Sequence, residues 1–236
     1  AARAELAGGR PERVQGRLRA AAHHGETFYG ILAAQGLGLK QLPPHEADGL
    51  SAAWGRLSAI APIRVAKAMA EIGERDRASE LLRHQARLGR VEDHGLLSSL
   101  AARLNLPETQ LYLAHNGPQG AKPSASARYP TPDWVPANGW RVEKSLVYAH
   151  ALQESRMRPD VVSPAGAHGL MQVLPGTAQL IARKRGADAP DRATLLKPAI
   201  NLDYGQARLE QVRDYGPTGR LLPKVTADDA LAQAFC

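Results

Sequence analysis

The residues best suited to acid–base chemistry are Glu154 and the polar side chains of the segment that follows it. Val147, Ala151 and Glu154 recur at i, i+4 and i+7, which predicts an amphipathic helix with a carboxylate in its semi-apolar stripe. Arg156, Arg158 and the proline at 159 predict that this helix ends directly after Glu154. Partial burial and the negative end of the helix dipole both favour the uncharged form of such a carboxylate. The pattern therefore indicates a general acid.

The segment Ser163–Gln172 is too rich in glycine for a regular helix. Gly166 and Gly169 permit backbone angles and close approaches that other residues resist. Leu170 and Met171 can close over an apolar interior, and the amide of Gln172 offers both a donor and an acceptor. A second helix is predicted to begin near residue 175 or 177 and to end near residue 186.

Three motifs in this order and spacing resemble the soluble lytic transglycosylases, which are lysozyme-like enzymes that cleave bacterial peptidoglycan. They are Glu154-Ser155, the run Ser-x-Ala-Gly-Ala-x-Gly-Leu-Met-Gln ending at Gln172, and Pro-Gly-Thr-Ala over 175–178. Asn201, Gly205 and Leu209 match a later helix of the family, in which Arg208 replaces an expected tyrosine. The Ala-Tyr-Asn-Ala-Gly motif of the family is not found after residue 225, which suggests a C-terminally incomplete or altered catalytic domain.

The resemblance implies that Glu154 is the single catalytic acid and base, and that Ser163, Met171 and Gln172 bind substrate. In the family the glutamate protonates the oxygen between MurNAc and GlcNAc, and the substrate N-acetyl group stabilises the cation. The glutamate then removes a proton from the MurNAc C6 hydroxyl, which closes a 1,6-anhydro ring. A non-catalytic peptidoglycan-binding or scaffold protein is the alternative, because of the missing motif. A hydrolytic muramidase is less favoured, because Asp160 is expected to lie in a solvated turn and no second carboxylate is evident.

Composition and net charge limit the kinds of molecule that this chain is expected to bind. The chain has 236 residues with a formal net charge of +7, and its basic residues are spread rather than clustered in a stripe. This indicates an anionic partner, which the resemblance identifies as peptidoglycan strands; nucleic acid is not expected. Proteins of cell-wall synthesis or degradation are open as further partners, and the oligomeric state is undetermined. The resemblance places the chain in the bacterial periplasm or cell envelope, although no export signal is visible at its start.

No cofactor or metal is expected. Cys236 is the single cysteine, which leaves neither an intramolecular disulfide nor a cysteine metal site. His150 and Glu154 are spaced as a helical ligand pair, but no second pair accompanies them. His168 is predicted to be a surface residue.

The predicted fold class is all-α. Residues 1–117 are predicted to form a helical superhelical or linker region, 118–140 a Pro/Gly-rich connector, and 141–236 the lysozyme-like catalytic domain. Within the first region, helices are expected over 63–72, 76–88, 92–104 and 107–114, paired as in an α-solenoid. Their surface is interpreted either as a curved binding surface for glycan or a partner, or as simple packing.

Overall fold

The computed structural model describes residues 2–25, 27–39, 49–121 and 123–215, and within these ranges the chain is helical and contains no strand. The all-α prediction is confirmed. The chain divides into two compact units, one containing the described residues up to 39 and the other containing 49–215. The domain limits at 117 and 140 stay predictions. No described helix is both long enough and apolar enough to span a bilayer.

The first unit contains helices α1 (Ala2–Ala7), α2 (Val14–Ala22) and α3 (Phe28–Gly36), with a 3₁₀ turn at Pro11–Arg13. The hydroxyl of Thr27 caps α3 by accepting a hydrogen bond from the Gly30 amide at 3.0 Å. A Cβ atom at Gly30 would lie 1.9 Å from the His24 carbonyl oxygen, so glycine is required where α3 meets the chain leaving α2.

The second unit begins with five helices that enclose one apolar core. They are α4 (Leu50–Ser58), α5 (Ala61–Glu71), α6 (Arg75–Leu88), α7 (His94–Arg103) and α8 (Pro107–His115). The four sequence-predicted helices between 63 and 114 are confirmed to within two residues at each end. Prolines at the first turns of α5 and α8 explain where these helices begin, because proline fits there without losing a helical hydrogen bond.

A second apolar core lies around α10 (Lys144–Ser155), α11 (Pro175–Lys184), α12 (Arg192–Leu195) and α13 (Pro198–Tyr215). Helix α13 contacts each of the other three helices. Its residues 201–207 are all buried, so the centre of this helix forms the middle of the core.

The connector between the two cores includes the short helix α9 (Ala125–Arg128) and is held from both sides. Asn105, after α7, accepts a hydrogen bond from the Asp133 amide at 3.0 Å. The Tyr148 hydroxyl of α10 donates to the carbonyl oxygens of Pro132 at 2.5 Å and Trp134 at 3.1 Å. The proline-rich connector is therefore docked through its backbone groups, which its own sequence leaves without helical partners.

Candidate functional site

Glu154 lies in the last turn of α10, as predicted, but its side chain is exposed. The buried stripe of this helix is Val147, Ala151 and Ser155, and the Ser155 hydroxyl donates to the Ala151 carbonyl oxygen at 2.9 Å. The sequence prediction of a partly buried Glu154 is therefore wrong by one position. The reason is geometric. Val147, Ala151 and Ser155 follow one another at intervals of four residues and so lie on the side of the helix that faces the core. Glu154 is rotated about 100° away from Ser155.

The chain reverses directly after Ser155. Arg156 and Met157 both have positive φ angles, 52° and 61°, and the Met157 amide donates to the Ala151 carbonyl oxygen at 3.3 Å. Two such residues in succession are costly for non-glycine side chains, but Met157 is 1% exposed, and its burial offsets the strain. This turn ends α10, and Glu154 remains exposed in the last turn of the helix.

The Glu154 carboxylate forms no ion pair or hydrogen bond with another described residue. Arg158 instead directs its Nε atom to the Ser155 carbonyl oxygen at 3.3 Å. A glutamate that served to stabilise the surface would be expected to pair with one of the two neighbouring arginines. The carboxylate is instead available to a ligand.

The glycine-rich segment forms a tight double turn held by backbone bridges. His168 is bridged to Val162 on one side and to Val173 on the other. The Ser163 hydroxyl accepts a hydrogen bond from the Ala167 amide at 3.0 Å. His168 is 5% exposed because it lies in the middle of these bridges, so its predicted surface position is wrong.

Gln172 lies at the end of this turn with a φ angle of 46°. Its Nε2 atom donates to the Gly169 carbonyl oxygen at 2.9 Å, which holds the half-buried side chain across the turn. Met171 is 7% exposed and belongs to the core. No hydrogen bond joins Glu154 to Ser163 or to Gln172 within the described part of the chain. The roles of Ser163, Met171 and Gln172 in substrate binding stay predictions.

Asn201 of α13 fastens the turn to the core. Its Oδ1 atom accepts from the Met171 amide at 2.8 Å, and its Nδ2 atom donates to the carbonyl oxygens of His168 and Leu195, each at 2.7 Å. A Cβ atom at Gly169, whose φ is +70°, would lie 2.5 Å from that Nδ2 atom. The glycine and the asparagine are therefore required together.

Gly205 has a matching role on the next turn of α13. A Cβ atom there would lie 2.2 Å from Met171 Sδ and 2.8 Å from Met171 Cβ. Met171 thus fills the space that Gly205 leaves open. The sequence showed the spacing of Asn201 and Gly205 but not their contacts with Gly169 and Met171, which lie thirty or more positions earlier in the chain.

A polar cluster that the sequence analysis missed anchors the start of the domain to α13. Asp203 is 1% exposed and accepts hydrogen bonds from Arg141 Nη1 at 2.7 Å, Arg185 Nη1 at 2.6 Å and Asn138 Nδ2 at 3.0 Å. Burial by itself would raise the pKa of Asp203, but these hydrogen bonds outweigh burial and hold the pKa below its ordinary value. The signal in the sequence was a single charged residue within the segment 198–207, which is otherwise uncharged.

The described residues contain no group of three His, Cys, Asp or Glu side chains placed to hold a metal ion. His150 and Glu154 remain an isolated pair on α10. Asp160, the nearest carboxylate along the chain, is exposed.

Comparisons with known proteins agree on one family. Residues 135–225 match the family model described as the transglycosylase SLT domain. Membrane-bound lytic murein transglycosylase C of Actinobacillus pleuropneumoniae is 42% identical over 80 residues, which are 33% of this chain and 22% of that protein. The soluble lytic murein transglycosylase of Escherichia coli is 38% identical over 78 residues, 32% of this chain and 12% of that protein. The chain thus matches less than a quarter of these relatives.

Solved structures show the same fold over most of the chain. The 70 kDa soluble lytic transglycosylase of Escherichia coli superposes with a TM-score of 0.67 at 21% identity, covering 91% of this chain and 35% of that one. An inactive glutamate-to-glutamine mutant of the lytic transglycosylase Slt from Pseudomonas aeruginosa gives a TM-score of 0.63 at 24% identity, covering 89% and 34%.

The helical fold is thus that of the lysozyme-like lytic transglycosylases. Residues 135–225 of this chain match the transglycosylase SLT domain, in agreement with the resemblance of the motifs to the soluble lytic transglycosylases.

Proposed function

We propose that this chain cleaves peptidoglycan as a lytic transglycosylase in the bacterial cell envelope, with Glu154 as its single acid and base. One observation carries the proposal. The Glu154 carboxylate is exposed and has no partner among the described residues, at the end of a helix whose preceding turns pack in the core. The glutamate is thus positioned by rigid structure and free to meet a glycosidic oxygen.

In the proposed reaction, protonated Glu154 gives its proton to the oxygen between MurNAc and GlcNAc, and that bond breaks. The N-acetyl group of the substrate stabilises the positive charge at C1. Glu154 then accepts the proton of the MurNAc C6 hydroxyl while O6 bonds to C1. The product is a 1,6-anhydroMurNAc end, the glutamate is protonated again, and no water is consumed.

The carboxylates of the domain support a mechanism with one glutamate. Asp203 is occupied by two arginines, and Glu210 pairs with Arg141 at 3.2 Å. Glu143 precedes α10, eleven residues from Glu154, so about 16 Å of helix separates them. A hydrolytic pair needs two carboxyl groups about 5–10 Å apart. Asp160 is the nearest carboxylate to Glu154 along the chain and is therefore the first candidate that a test must exclude.

The glycan would be bound beside the turn that contains Ser163 and Gln172. Asn201 fixes this turn to α13 by two hydrogen bonds, to the Met171 amide and the His168 carbonyl oxygen, so its outer groups are held in place before a substrate arrives. The Gln172 amide oxygen has no hydrogen-bond partner among the described residues and can accept one from a sugar hydroxyl. Such preorganisation lowers the cost of orienting a substrate.

An inactive mutant of a similar protein supports the proposal that one glutamate is essential. The Pseudomonas aeruginosa Slt structure is that of a mutant made inactive by one glutamate-to-glutamine change. The relatives found do not favour a non-catalytic scaffold, since they are named as lytic transglycosylases.

The test is mass analysis of the products that purified peptidoglycan releases with the parent chain and with its Glu154→Gln, Asp160→Asn and Glu143→Gln variants. We expect anhydro-muropeptides from the parent, a loss of at least ~10²-fold with Glu154→Gln, and nearly full activity with the other two. Reducing-end products that disappear with Asp160→Asn would instead establish a hydrolase. Binding to peptidoglycan with no products from the parent would refute catalysis by this chain.

A further inference from the structure

A cavity of about 600 Å³ opens between α5 and α6, in the helices that precede the catalytic domain. This volume lies within the range of about 300–1,000 Å³ that small-ligand sites occupy. Its lining combines the apolar side chains of Val65, Met69 and Leu81 with the guanidinium groups of Arg77, Arg83 and Arg87.

The outer two arginines are available to a ligand. Arg77 and Arg87 are exposed and form no ion pair or hydrogen bond with any residue that the structure describes. Glu80 is the one acidic residue of the lining, so the lining as a whole keeps a net positive charge. His84 lies between the arginines on the same face and adds hydrogen-bonding capacity.

Arg83 is fixed in place between them. Its Nη2 atom donates to Thr109 Oγ1 at 3.2 Å, and its guanidinium lies 4.7 Å from the centre of the Tyr112 ring. Its Nε atom is buried and has no acceptor among the described residues. Arg83 and Arg87 are four residues apart, and like charges at that spacing destabilise a helix. The fold therefore tolerates an unfavourable concentration of positive charge at this cavity.

We propose that this groove binds a short, extended peptide that bears two carboxylates. Arg77 and Arg87 are ten residues apart on α6, which is about 15 Å along the helix axis. An extended chain covers that length in about four or five residues. Its carboxylates meet the two arginines in charge-assisted hydrogen bonds, and small apolar side chains between them lie on Met69 and Leu81. Under the proposed function, on which this identification rests, the occupants are the peptide stems of peptidoglycan.

Calorimetric titration of the full chain with acetyl-Glu-Ala-Ala-Glu-amide tests the proposal. We expect Arg77→Gln/Arg87→Gln to raise Kd by at least about tenfold, because each lost hydrogen bond to a charged group is worth about that factor. Arg183→Gln/Arg192→Gln removes the same charge from exposed positions in the catalytic domain and is expected to leave Kd unchanged. The neutral peptide acetyl-Gln-Ala-Ala-Gln-amide is expected to bind at least about tenfold more weakly. Circular dichroism of both variants verifies that they are folded.

Equal Kd values for the two double variants, or for the two peptides, would overturn the proposal. So would inorganic phosphate or a single-stranded DNA oligomer that binds with the same arginine dependence while the peptide does not. The Glu154→Gln variant is expected to bind the peptide as the parent does. If the parent releases no muropeptides yet binds the peptide through Arg77 and Arg87, the proposed catalysis fails and the groove assignment stands.

Discussion

Replacing Asn201 by aspartate would test how the glycine-rich turn is held. The substitution keeps the shape of the side chain and the acceptor for the Met171 amide, but it removes the two N–H groups that face the carbonyl oxygens of His168 and Leu195 at 2.7 Å. Asn201 is fully buried, so water cannot replace the lost donors. The new carboxyl group must either remain charged against two carbonyl oxygens or take up a proton.

At pH 7 the loss of stability is set by the cost of protonating the new carboxyl group. Taking a proton at a carboxyl whose ordinary pKa is about 3.9 costs about 4 kcal/mol at that pH, and one hydrogen bond of about 1 kcal/mol is still missing. We therefore expect Asn201→Asp to lower the free energy of unfolding by about 4–5 kcal/mol at pH 7. Because burial raises the pKa of the new group, this penalty grows as pH rises and should fall to about 1–2 kcal/mol near pH 4.

Urea unfolding followed by tryptophan fluorescence measures this effect, since Trp134 and Trp140 pack against the same core. The matched control is Asn116→Asp, at an exposed residue whose Nδ2 atom donates to the Tyr112 carbonyl oxygen at 2.8 Å. There we expect a change below about 1 kcal/mol with little pH dependence. If the two variants lose equal stability, or if the penalty of Asn201→Asp is the same at both pH values, the hydrogen bonds of Asn201 do not hold the turn.

Three further substitutions probe the same domain. Gly205→Ala is expected to destabilise it by about 1–3 kcal/mol in urea unfolding, because Met171 must move, whereas Gly176→Ala, with nothing within 4 Å, is expected to be neutral. Asp203→Asn should cost stability at neutral pH. Since the folded pKa of Asp203 is lowered, the difference from the parent should shrink as pH falls below the ordinary value of 3.8, and a constant difference would contradict this. Burial raises the pKa of Tyr148 from 10.0 to about 12, so the parent should lose stability relative to Tyr148→Phe between those two pH values. At neutral pH the same variant should cost about 1–2 kcal/mol, because two carbonyl oxygens lose their donor; no cost in thermal unfolding would refute the docking role.

The contacts of α13 explain why the motif residues occur together. Gly169 leaves room for Asn201, and Gly205 leaves room for Met171. Asn201 and Met171 are in turn joined by a hydrogen bond of 2.8 Å. A change at any of these four positions is expected to disturb the others, and through them the backbone that presents Gln172.

The sequence by itself determined several of the helices and their approximate ends, including the four between residues 63 and 114 and the helix that carries Glu154. Prolines at first turns, glycines after last turns and apolar residues at helical spacing act within a few neighbouring residues, so they could be read along the chain. The order of the Glu154, Ser163–Gln172 and Asn201 motifs likewise identified the family. What the sequence could not determine was the side on which Glu154 lies, since a shift of one residue turns a helical side chain by about 100°.

The tertiary structure decided which side chains are buried and which residues are their hydrogen-bond partners. It buried Ser155 in place of Glu154, enclosed His168 between two backbone bridges, and gave Asp203 two arginines from distant elements. The burial of Ser155 and the partners of Asp203 depend on contacts between residues far apart in the chain. Periodicity along one helix carries no information about which other helix will supply a hydrogen-bond partner. The exposure of the Glu154 carboxylate is therefore a property of the folded domain and not of its motif alone.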